Sequence, residues 1–245
     1  MSHRFDRTEM LIGRAGLEKL AASKVAIFGL GGVGSFAAEA LCRAGVGYFL
    51  LVDHDVVDVT NINRQLHALT GTVGEPKTGL MADRLHQINP AVTVQVRQQK
   101  FTPDRAAEML DGRQLNFVVD AIDDVENKAA LIVACVRRHL PVISAMGAGN
   151  KLDPTSFKVD SIWNTAVCPL ARVMRKKLRD AGISAEVPVV YSTARPMRPA
   201  MGNTPAGGRG APGSISYVPP VAGLIMAGFV TDRLLGLGVF SKKMN

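Results

Sequence analysis

A run of glycines between an apolar segment and a helix-forming segment is the first group of residues whose types and spacing indicate chemistry. The run is Gly29-Leu30-Gly31-Gly32-Val33-Gly34, and it follows the apolar residues 25–28. Backbone without Cβ atoms lets N–H groups approach phosphate oxygens, and the following helix directs its positive end at them. The pattern therefore predicts a loop that binds a nucleotide phosphate. Its expected contacts are Gly29, Gly31, Gly32 and Gly34.

Charged side chains downstream of this loop indicate what happens to the phosphate. Asp53 ends the next predicted strand, Arg64 lies in the polar segment after it, Lys77 begins a predicted helix, and Asp123 follows another strand. Side chains that follow parallel strands meet at one edge of the sheet, where open α/β sheets bind ligands. Cations stabilise a phosphorus centre under attack, and a carboxylate can hold the magnesium that neutralises leaving pyrophosphate. The set predicts attack on a nucleotide phosphate.

The same glycines also fit the G-x-G-x-x-G pattern of dinucleotide-binding proteins, in which a carboxylate about 20 residues further on holds a ribose hydroxyl. Asp53 satisfies that spacing. A nicotinamide-dependent oxidoreductase is therefore an alternative. Hydride transfer needs no ring of cations and carboxylates, so Arg64, Lys77 and Asp123 favour phosphate chemistry.

Strands and helices alternate along most of the chain, and this alternation positions the polar residues. Strands are predicted over residues 25–28, 48–53, 92–96, 117–120 and 142–145. Helices are predicted over residues 8–22, 35–44, 78–88, 103–110 and 126–138. Alternation of this kind is typical of a parallel sheet covered by helices on both faces. We therefore predict an α/β, Rossmann-like, doubly wound and mainly parallel sheet, preceded by an N-terminal helix.

The alternation changes after residue 150. Strands are predicted over residues 157–162 and 188–192, and helices over residues 169–181 and 221–237, with a mobile Pro-, Gly- and Arg-rich loop over 195–213. We interpret residues 1–150 as the nucleotide-binding domain and residues 151–245 as a substrate-facing C-terminal extension of the same globular unit.

The composition predicts a globular chain in a reducing compartment. The chain has 245 residues, of which 47% are hydrophobic, enough for one sizeable core. Its three cysteines, Cys42, Cys135 and Cys168, form no C-x-x-C pair, and no N-terminal apolar segment resembles a signal peptide. A cytoplasmic location is expected. The apolar residues 221–230 are too few for a membrane span, which needs about 20, so a buried helix is predicted there.

Positive charge is concentrated in the last third of the chain. The formal net charge is +8. The basic residues of this region that precede Asp232 are Arg172, Arg175, Lys176, Lys177, Arg179, Arg195, Arg198 and Arg209. Such a cluster binds a nucleic-acid backbone by releasing counterions, but the face over residues 172–179 also fits an ordinary solvated helix. Both interpretations stay open on composition alone.

Several motifs together resemble the adenylating superfamily of ubiquitin-activating enzymes and bacterial activators of sulfur-carrier proteins, over about residues 4 to 150. These motifs are the glycine run, Asp53-x-Asp55, Thr60-Asn61-Ile62-Asn63-Arg64-Gln65, Pro76-Lys77 and Asp120-Ala121-Ile122-Asp123. The resemblance implies ATP as the nucleotide and Mg²⁺ as its ion. It also implies that a substrate carboxylate attacks the α-phosphate of ATP.

The resemblance assigns expected roles to single residues. Asp53 binds the ATP ribose, and Asp55 belongs to the same nucleotide-binding motif. Asn61 and Arg64 reach the phosphates, and Arg64 is a candidate for supply across a homodimer interface. The remaining expected contacts are Lys77, which neutralises the phosphates, Asp123, which holds magnesium, and Arg7, which also reaches the triphosphate. Arg64, Lys77 and Asp123 are the expected catalytic residues.

A second set of motifs extends the resemblance over nearly the whole chain, to the tRNA threonylcarbamoyladenosine dehydratases. These motifs are Leu152-Asp153-Pro154, Cys168-Pro169-Leu170-Ala171-Arg172, the basic helix through Arg179, Tyr191-Ser192, and the run from Gly213 to Gly223. That family activates a threonyl carboxylate on a modified adenosine beside the tRNA anticodon, and a group of the same side chain closes a ring with loss of water. The tRNA contacts it implies are Arg172, Arg175, Lys176 and Arg179.

Two further alternatives and one further partner complete the expectations. An activator of a ubiquitin-like sulfur carrier is disfavoured by the missing C-x-x-C pairs and the basic last third, and a non-catalytic scaffold by the complete set of ATP residues. A cysteine desulfurase is a candidate sulfur-transfer partner. Cys168 is interpreted as a buried apolar residue rather than a catalytic thiol, because an internal nucleophile already has a high effective concentration.

Overall fold

The fold is known from a computed structural model that describes residues 3–112, 114–198 and 212–240. The strands are β1 Lys24–Phe28, β2 Tyr48–Val52, β3 Thr93–Arg97, β4 Phe117–Asp120, β5 Val142–Ala145, β6 Phe157–Ser161 and β7 Pro188–Ser192. The helices are α1 Asp6–Ala22, α2 Gly34–Ala44, α3 Lys77–Ile88, α4 Ala106–Leu110, α5 Val125–Arg137, α6 Pro169–Asp180 and α7 Val218–Leu235.

All seven strands form one sheet in the order β3-β2-β1-β4-β5-β7-β6. Every neighbouring pair is parallel except β6 with β7, which is antiparallel. The predicted α/β class and mainly parallel sheet are therefore confirmed. The strand order reverses between β1 and β4, and ligands of open α/β sheets bind beyond the carboxyl ends of the strands at such a point.

The central strands are buried on both faces because helices cover both sides of the sheet. Along β1, Val25 and Ile27 pack into the core that contains α2 and α7, while Ala26 and Phe28 pack into the core that contains α4 and α5. This double burial explains why the strand sequences are continuous apolar runs rather than alternating ones. A third cluster joins α6 to β7 and α5.

Most predicted elements agree with the structure to within two residues. The largest shift is at α7, which begins at Val218 instead of the predicted residue 221. Pro219 and Pro220 occupy its first turn, where the absent N–H groups have no intrahelical partner to lose. The predicted helix 103–110 is divided into a 3₁₀ turn, Pro103–Arg105, and the short α4.

Within the described ranges, α7 is one helix whose length and apolar composition would allow it to cross a membrane. It is 56% buried inside the protein, however. Gly223 approaches α2 so closely that a Cβ there would lie 2.2 Å from the carbonyl oxygen of Val33. These contacts are those of a helix in the protein core.

Strands from both sides of residue 150 share the sheet, because β7 pairs with β5. The assignment of nucleotide binding to residues 1–150 and of substrate binding to residues 151–245 stays a prediction. Residues 199–211 of the loop predicted over 195–213 lie outside the described residues, as does Arg209. Of the flanking residues, Met197 and Gly213 are both hydrogen-bonded to Asn150.

We predict that Gly34→Ala opens the turn between β1 and α2, because its new Cβ would lie 1.8 Å from the Gly29 carbonyl oxygen. Urea denaturation followed by circular dichroism should give a loss of about 3 kcal/mol or more in unfolding free energy. Gly79→Ala is the matched control, because no atom lies within 4 Å of its Cβ position in α3. The control should gain up to about 1 kcal/mol. Equal stabilities for the two variants would contradict the packing argument.

Candidate active site

The glycine loop packs against the turn that follows β4. Gly29 has φ +87°, and a Cβ there would lie 2.6 Å from the carbonyl oxygen of Ala121. Gly31 differs, because the nearest atom to its Cβ position is Gln65 Nε2 at 3.9 Å. The first glycine is therefore needed for packing, whereas Gly31 leaves open space beside the backbone. That space is the cradle that a phosphate group would occupy.

Asp53 fastens the glycine loop to the end of β2. Its carboxylate is buried and accepts the Leu30 N–H through Oδ2 at 2.6 Å and the Asp55 N–H through Oδ1 at 2.8 Å. Each carboxylate oxygen has two lone pairs, so both oxygens can also accept a ribose hydroxyl. The residue expected to hold the ribose thus also shapes the loop expected to hold the phosphates.

Lys77 is a buried cation at the first residue of α3. Its residue is only 4% exposed, and its Nζ donates to Asp55 Oδ2 at 2.8 Å. The Asp55 carboxylate is half-exposed, and its other oxygen lies 3.3 Å from His54 Nε2. Asp55 therefore fixes the position of the Lys77 ammonium, while the Asp55 carboxylate itself stays accessible to solvent.

Arg64 lies beside the glycine loop of its own chain. A Cβ on Gly32 would be 3.1 Å from the Arg64 carbonyl oxygen and 3.2 Å from its Cγ. The guanidinium Nη1 donates to the carbonyl oxygen of Thr60 at 2.8 Å and to Asn63 Oδ1 at 3.0 Å. The backbone of Arg64 thus flanks the loop of its own chain, and supply of its guanidinium across a homodimer interface stays a prediction.

Asn61 supports the same segment from inside. It is 8% exposed, and its Oδ1 accepts the N–H of Asp58 at 3.2 Å. Asp58 in turn accepts the N–H of Thr60 at 2.8 Å, which completes a tight polar turn. The segment expected to contact phosphates is therefore also the segment that folds this turn.

Asp123 is the carboxylate that the site leaves available. It is exposed, and within the described ranges it forms no hydrogen bond or ion pair. The neighbouring Asp124 is occupied, because its carboxylate caps α5 by accepting the Asn127 N–H at 3.0 Å and pairs with Lys100 at 3.0 Å. These contacts lower the pKa of Asp124, first through the Asn127 N–H and then through Lys100.

Arg7 forms no hydrogen bond or ion pair with this group in the described part of the chain. Its neighbour Arg4 donates to the carbonyl oxygen of Ile88, at the end of α3 opposite Lys77. A helix rises 1.5 Å per residue, so the two ends of α3 are separated by about 16 Å. Arg7 itself is exposed. The structure thus brings together the glycine loop, Asp53, Asp55, Asn61, Arg64, Lys77 and Asp123, whereas the role of Arg7 stays a prediction.

The predicted basic face of α6 divides into occupied and available cations. Arg175 donates to the carbonyl and hydroxyl oxygens of Thr165, and the Arg179 guanidinium lies 5.4 Å from the centre of the Trp163 ring. Lys177 pairs with Glu126 at 2.6 Å. Arg172 and Lys176 are exposed and have no partner in the described part of the chain.

Four side chains that the sequence did not single out have buried polar atoms without hydrogen-bond partners in the described structure. These atoms are Gln65 Oε1, both ring nitrogens of His67, Gln99 Oε1 and Ser214 Oγ. Gln65 and Ser214 adjoin the site, because Gln65 is the residue nearest Gly31 and Asn63 Nδ2 donates to the Ser214 carbonyl oxygen at 2.9 Å. Both belong to sequence motifs of the resemblance, but only the fold places them there. Unpaired buried polar atoms beside an open cradle fit a site for a polar ligand.

The cysteines are placed as small buried residues. Cys168 is 3% exposed at the position before α6. Burial raises the pKa of Cys42 and of Cys135 to about 12, so both thiols stay protonated at neutral pH.

Comparison with known proteins finds similarity along nearly the whole chain. The model of the ThiF family matches residues 5–244. The tRNA threonylcarbamoyladenosine dehydratase of Bacillus subtilis is 48% identical over 244 residues, which cover 96% of each chain. Crystal structures of the Escherichia coli tRNA N6-threonylcarbamoyladenosine dehydratase with AMP and with ATP have TM-scores of 0.89 and 0.88. Each is 36% identical and covers 96% of this chain and 95% of that chain.

His67 generates a prediction about pH. Burial, followed by the charges of Lys77 and Arg84, lowers the pKa of its imidazole from 6.5 to about 4. The unfolded state therefore binds more protons between these values, and stability present above pH 6.5 is lost as the pH falls toward 4. The loss amounts to about 3 kcal/mol.

We expect His67→Leu to flatten this part of the pH dependence, measured as unfolding free energy at pH 7 and pH 4.5. His86→Leu, which removes an exposed imidazole from α3, is the control and should keep the wild-type dependence. A His67→Leu protein with the wild-type loss at acid pH would show that another group is responsible.

Proposed function

This chain belongs to the ThiF family, and we propose that it is an ATP-dependent tRNA threonylcarbamoyladenosine dehydratase. The observation that carries the proposal is the extent of the similarity. The 48% identity to the Bacillus subtilis enzyme runs over 96% of both chains, and so includes the basic α6 as well as the glycine loop. An activator of a small sulfur-carrier protein has no need of a basic helix, and the three separated cysteines provide no zinc site of the C-x-x-C type.

The proposed ATP site uses the group of residues at the β1–β4 switch point. Gly31 leaves room for phosphate oxygens, Asp53 accepts from the ribose, and Arg64 and Lys77 supply positive charge. Asn61 belongs to this group through the turn that it shares with Arg64. The ATP and AMP complexes of the Escherichia coli relative support this assignment.

Asp123 is the residue we assign to Mg²⁺. Magnesium in nucleotide sites is commonly bound by one or two carboxylates together with phosphate oxygens, and Asp123 is an exposed carboxylate without a protein partner in the described ranges. When bound, the ion would neutralise negative charge on the phosphates.

The first chemical step is adenylation of the threonyl carboxylate. A carboxylate oxygen forms a bond to the α-phosphorus of ATP, and the bond from that phosphorus to the bridging oxygen breaks, which releases pyrophosphate. Arg64 and Lys77 stabilise the charge that builds up on the phosphate oxygens. Lys77 is already desolvated and held by Asp55 at 2.8 Å, so it needs little reorganisation to do so.

The second step is ring closure within the substrate. A nucleophilic atom of the same side chain attacks the activated carbonyl carbon and forms a bond to it. The bond from that carbon to the oxygen shared with AMP breaks, so AMP leaves with this oxygen, and the proton of the nucleophile passes to solvent. The carboxylate oxygen lost to AMP and two protons make up the water removed. The step needs no enzyme thiol, because the nucleophile is already tethered to the carbonyl group. The burial of Cys168 fits this proposal.

The proposed tRNA contact lies on α6. Of the four cations expected there, Arg172 and Lys176 are exposed and available, while Arg175 and Arg179 are held by Thr165 and Trp163. We assign backbone phosphate binding to the first two. Arg175 instead holds the turn before α6.

A homodimer is part of the proposal because of Arg7. The resemblance places this arginine at the triphosphate, whereas its neighbour Arg4 contacts the end of α3 opposite Lys77, so we assign its phosphate contact to the site of a second copy. Exposed apolar side chains on the segment that carries Arg64, among them Val59 at 63% and Leu69 at 60%, are suited to burial between two copies. A cysteine desulfurase partner and a cytoplasmic location stay predictions.

The reaction is tested by mass spectrometry of the nucleoside. Wild-type protein incubated with ATP, Mg²⁺ and threonylcarbamoyl-modified tRNA should remove one water from the modified nucleoside. Asp123→Ala should lower kcat by about 100-fold or more while the protein stays folded. Asp83→Asn, which changes an exposed carboxylate on α3, is the control and should be fully active.

Four outcomes contradict parts of the proposal. An unchanged nucleoside with wild-type protein excludes the dehydratase, and pyrophosphate exchange that needs a small protein with a Gly-Gly tail supports the sulfur-carrier activator instead. A change in reduced-nicotinamide absorbance supports an oxidoreductase. An active Asp123→Ala protein removes Asp123 from the site.

The tRNA surface is tested by salt dependence. The double variant Arg172→Ala/Lys176→Ala should bind tRNA more weakly, and the slope of log K against log[salt] should fall by roughly one for each phosphate that the protein no longer neutralises. The control is Arg14→Ala/Lys19→Ala, which removes the same charges from exposed positions on α1. An unaltered slope in the α6 variant would assign that face to solvent.

A further inference from the structure

A completely buried ion pair lies beneath the turn that carries Asp123. Asp120 is the last residue of β4, and Lys128 is the fourth residue of α5. Lys128 Nζ donates to Asp120 Oδ2 at 2.8 Å, and Ser144 Oγ of β5 donates to the same oxygen at 2.6 Å. Lys128 also lies 3.2 Å from Ser144 Oγ, and all three residues are 0% exposed. The network joins three elements of the fold at one carboxylate.

The other oxygen of this carboxylate acts on the backbone of the turn. Asp120 Oδ1 accepts the N–H of Ile122 at 3.1 Å. Ile122 directly precedes Asp123, so this hydrogen bond fixes the peptide from which the exposed carboxylate projects. Both oxygens of Asp120 are used inside the protein, and Asp120 is therefore not itself a ligand for the nucleotide or its ion.

The opposite side of the turn is fixed by the glycine loop. The Ala121 N–H donates to the Phe28 carbonyl oxygen at 2.8 Å. The Ala121 carbonyl oxygen lies so close to Gly29 that a Cβ there would be at 2.6 Å. The turn is thus held between the phosphate-binding backbone on one side and the buried ion pair on the other.

Stability alone is a weak reason for such a pair. Desolvating two charges costs several kcal/mol for each ion, and apolar side chains of similar volume in place of a buried pair are often neutral or stabilising. What a carboxylate supplies, and an apolar side chain does not, is a directional hydrogen bond to a chosen backbone N–H. Lys128 and Ser144 are the donors that keep this carboxylate charged and oriented.

We propose that Lys128, through Asp120, is a positioning residue for the Mg²⁺ ligand Asp123. The sequence of contacts runs from the Lys128 ammonium to the Asp120 carboxylate, then to the Ile122 N–H, and so to Asp123. This inference builds on the proposed function, because it takes Asp123 as the residue that binds the ion of Mg²⁺–ATP. Its effect is on ion affinity in the nucleotide complex, as expected for a partner outside the ligand shell.

The test measures binding of a non-hydrolysable ATP analogue by calorimetry, with and without Mg²⁺, and the unfolding free energy of each variant. The variant Asp120→Leu/Lys128→Met removes both charges, so that neither is left buried alone, and it also removes the acceptor of the Ile122 N–H. We expect the Mg²⁺ concentration for half-maximal analogue binding to rise about tenfold, while analogue binding without Mg²⁺ stays unchanged. The single variant Lys128→Arg keeps a charged donor and should keep the wild-type Mg²⁺ dependence.

Ser144→Ala keeps the proposal testable if the double variant does not fold. It removes one donor to Asp120 and leaves the ion pair, and we expect a rise of about threefold in the Mg²⁺ requirement. The control is Lys100→Met, which removes the exposed pair with Asp124 in the same turn and should leave the Mg²⁺ requirement unchanged. Unchanged Mg²⁺ dependence in a folded double variant, or in Ser144→Ala, would assign the network to stability alone.

The binding readout separates this inference from the proposed function. Wild-type protein that binds Mg²⁺–ATP analogue but leaves modified tRNA unchanged would contradict the proposed reaction, and the effect of Lys128 on Mg²⁺ would still be measured. Ring closure by wild-type protein, with the same Mg²⁺ requirement in folded variants, would contradict only the role of Lys128.

Discussion

Two backbone turns touch at the centre of this molecule because residue 29 has no side chain. Gly29 packs on the carbonyl oxygen of Ala121, so the loop expected to bind phosphates and the turn that presents Asp123 form one rigid unit. Asp53 fastens the same loop from the β2 side through the Leu30 N–H. The relative position of phosphate cradle and acidic ligand is therefore set by covalent geometry and close packing rather than by flexible side chains.

The cationic side chains of the site are held in position before a ligand binds. Lys77 is paired with Asp55, and Arg64 is folded against the Thr60 carbonyl oxygen. Each has one or two local acceptors that a triphosphate can replace or supplement. Holding cations in place in this way lowers the reorganisation needed when negative charge develops on the phosphates. In α6, Arg175 is also held by a local acceptor, because it donates to the Thr165 carbonyl oxygen in the turn before the helix.

The fold was predictable because its signals are local. Continuous apolar runs, glycines and helix-forming segments alternate clearly along the chain. The apolar runs that form β1 and β2 are buried on both faces of the sheet. The start of α7 was less predictable, because proline usually signals the end of a helix and here fills its first turn. Motif positions also predicted which residues gather at the sheet edge, including Asp53, Lys77 and Asp123.

What the sequence could not reveal is how those residues are paired. Nothing in the spacing distinguishes Arg172, which is available, from Arg175, which Thr165 occupies. The partner of Asp120 lies eight residues away in the chain, and Ser144 lies on another strand, so their hydrogen bonds depend on tertiary packing.

Helix α7 has a consequence for the order in which the protein becomes functional. A Cβ on Gly32 would lie 3.0 Å from Pro219, so the first turn of this last helix forms a wall of the phosphate loop. Its body meanwhile fills the main core beside α2. During synthesis on the ribosome, the nucleotide site is therefore unfinished until α7 has emerged, and a chain cut before α7 would lack part of the main core together with this wall.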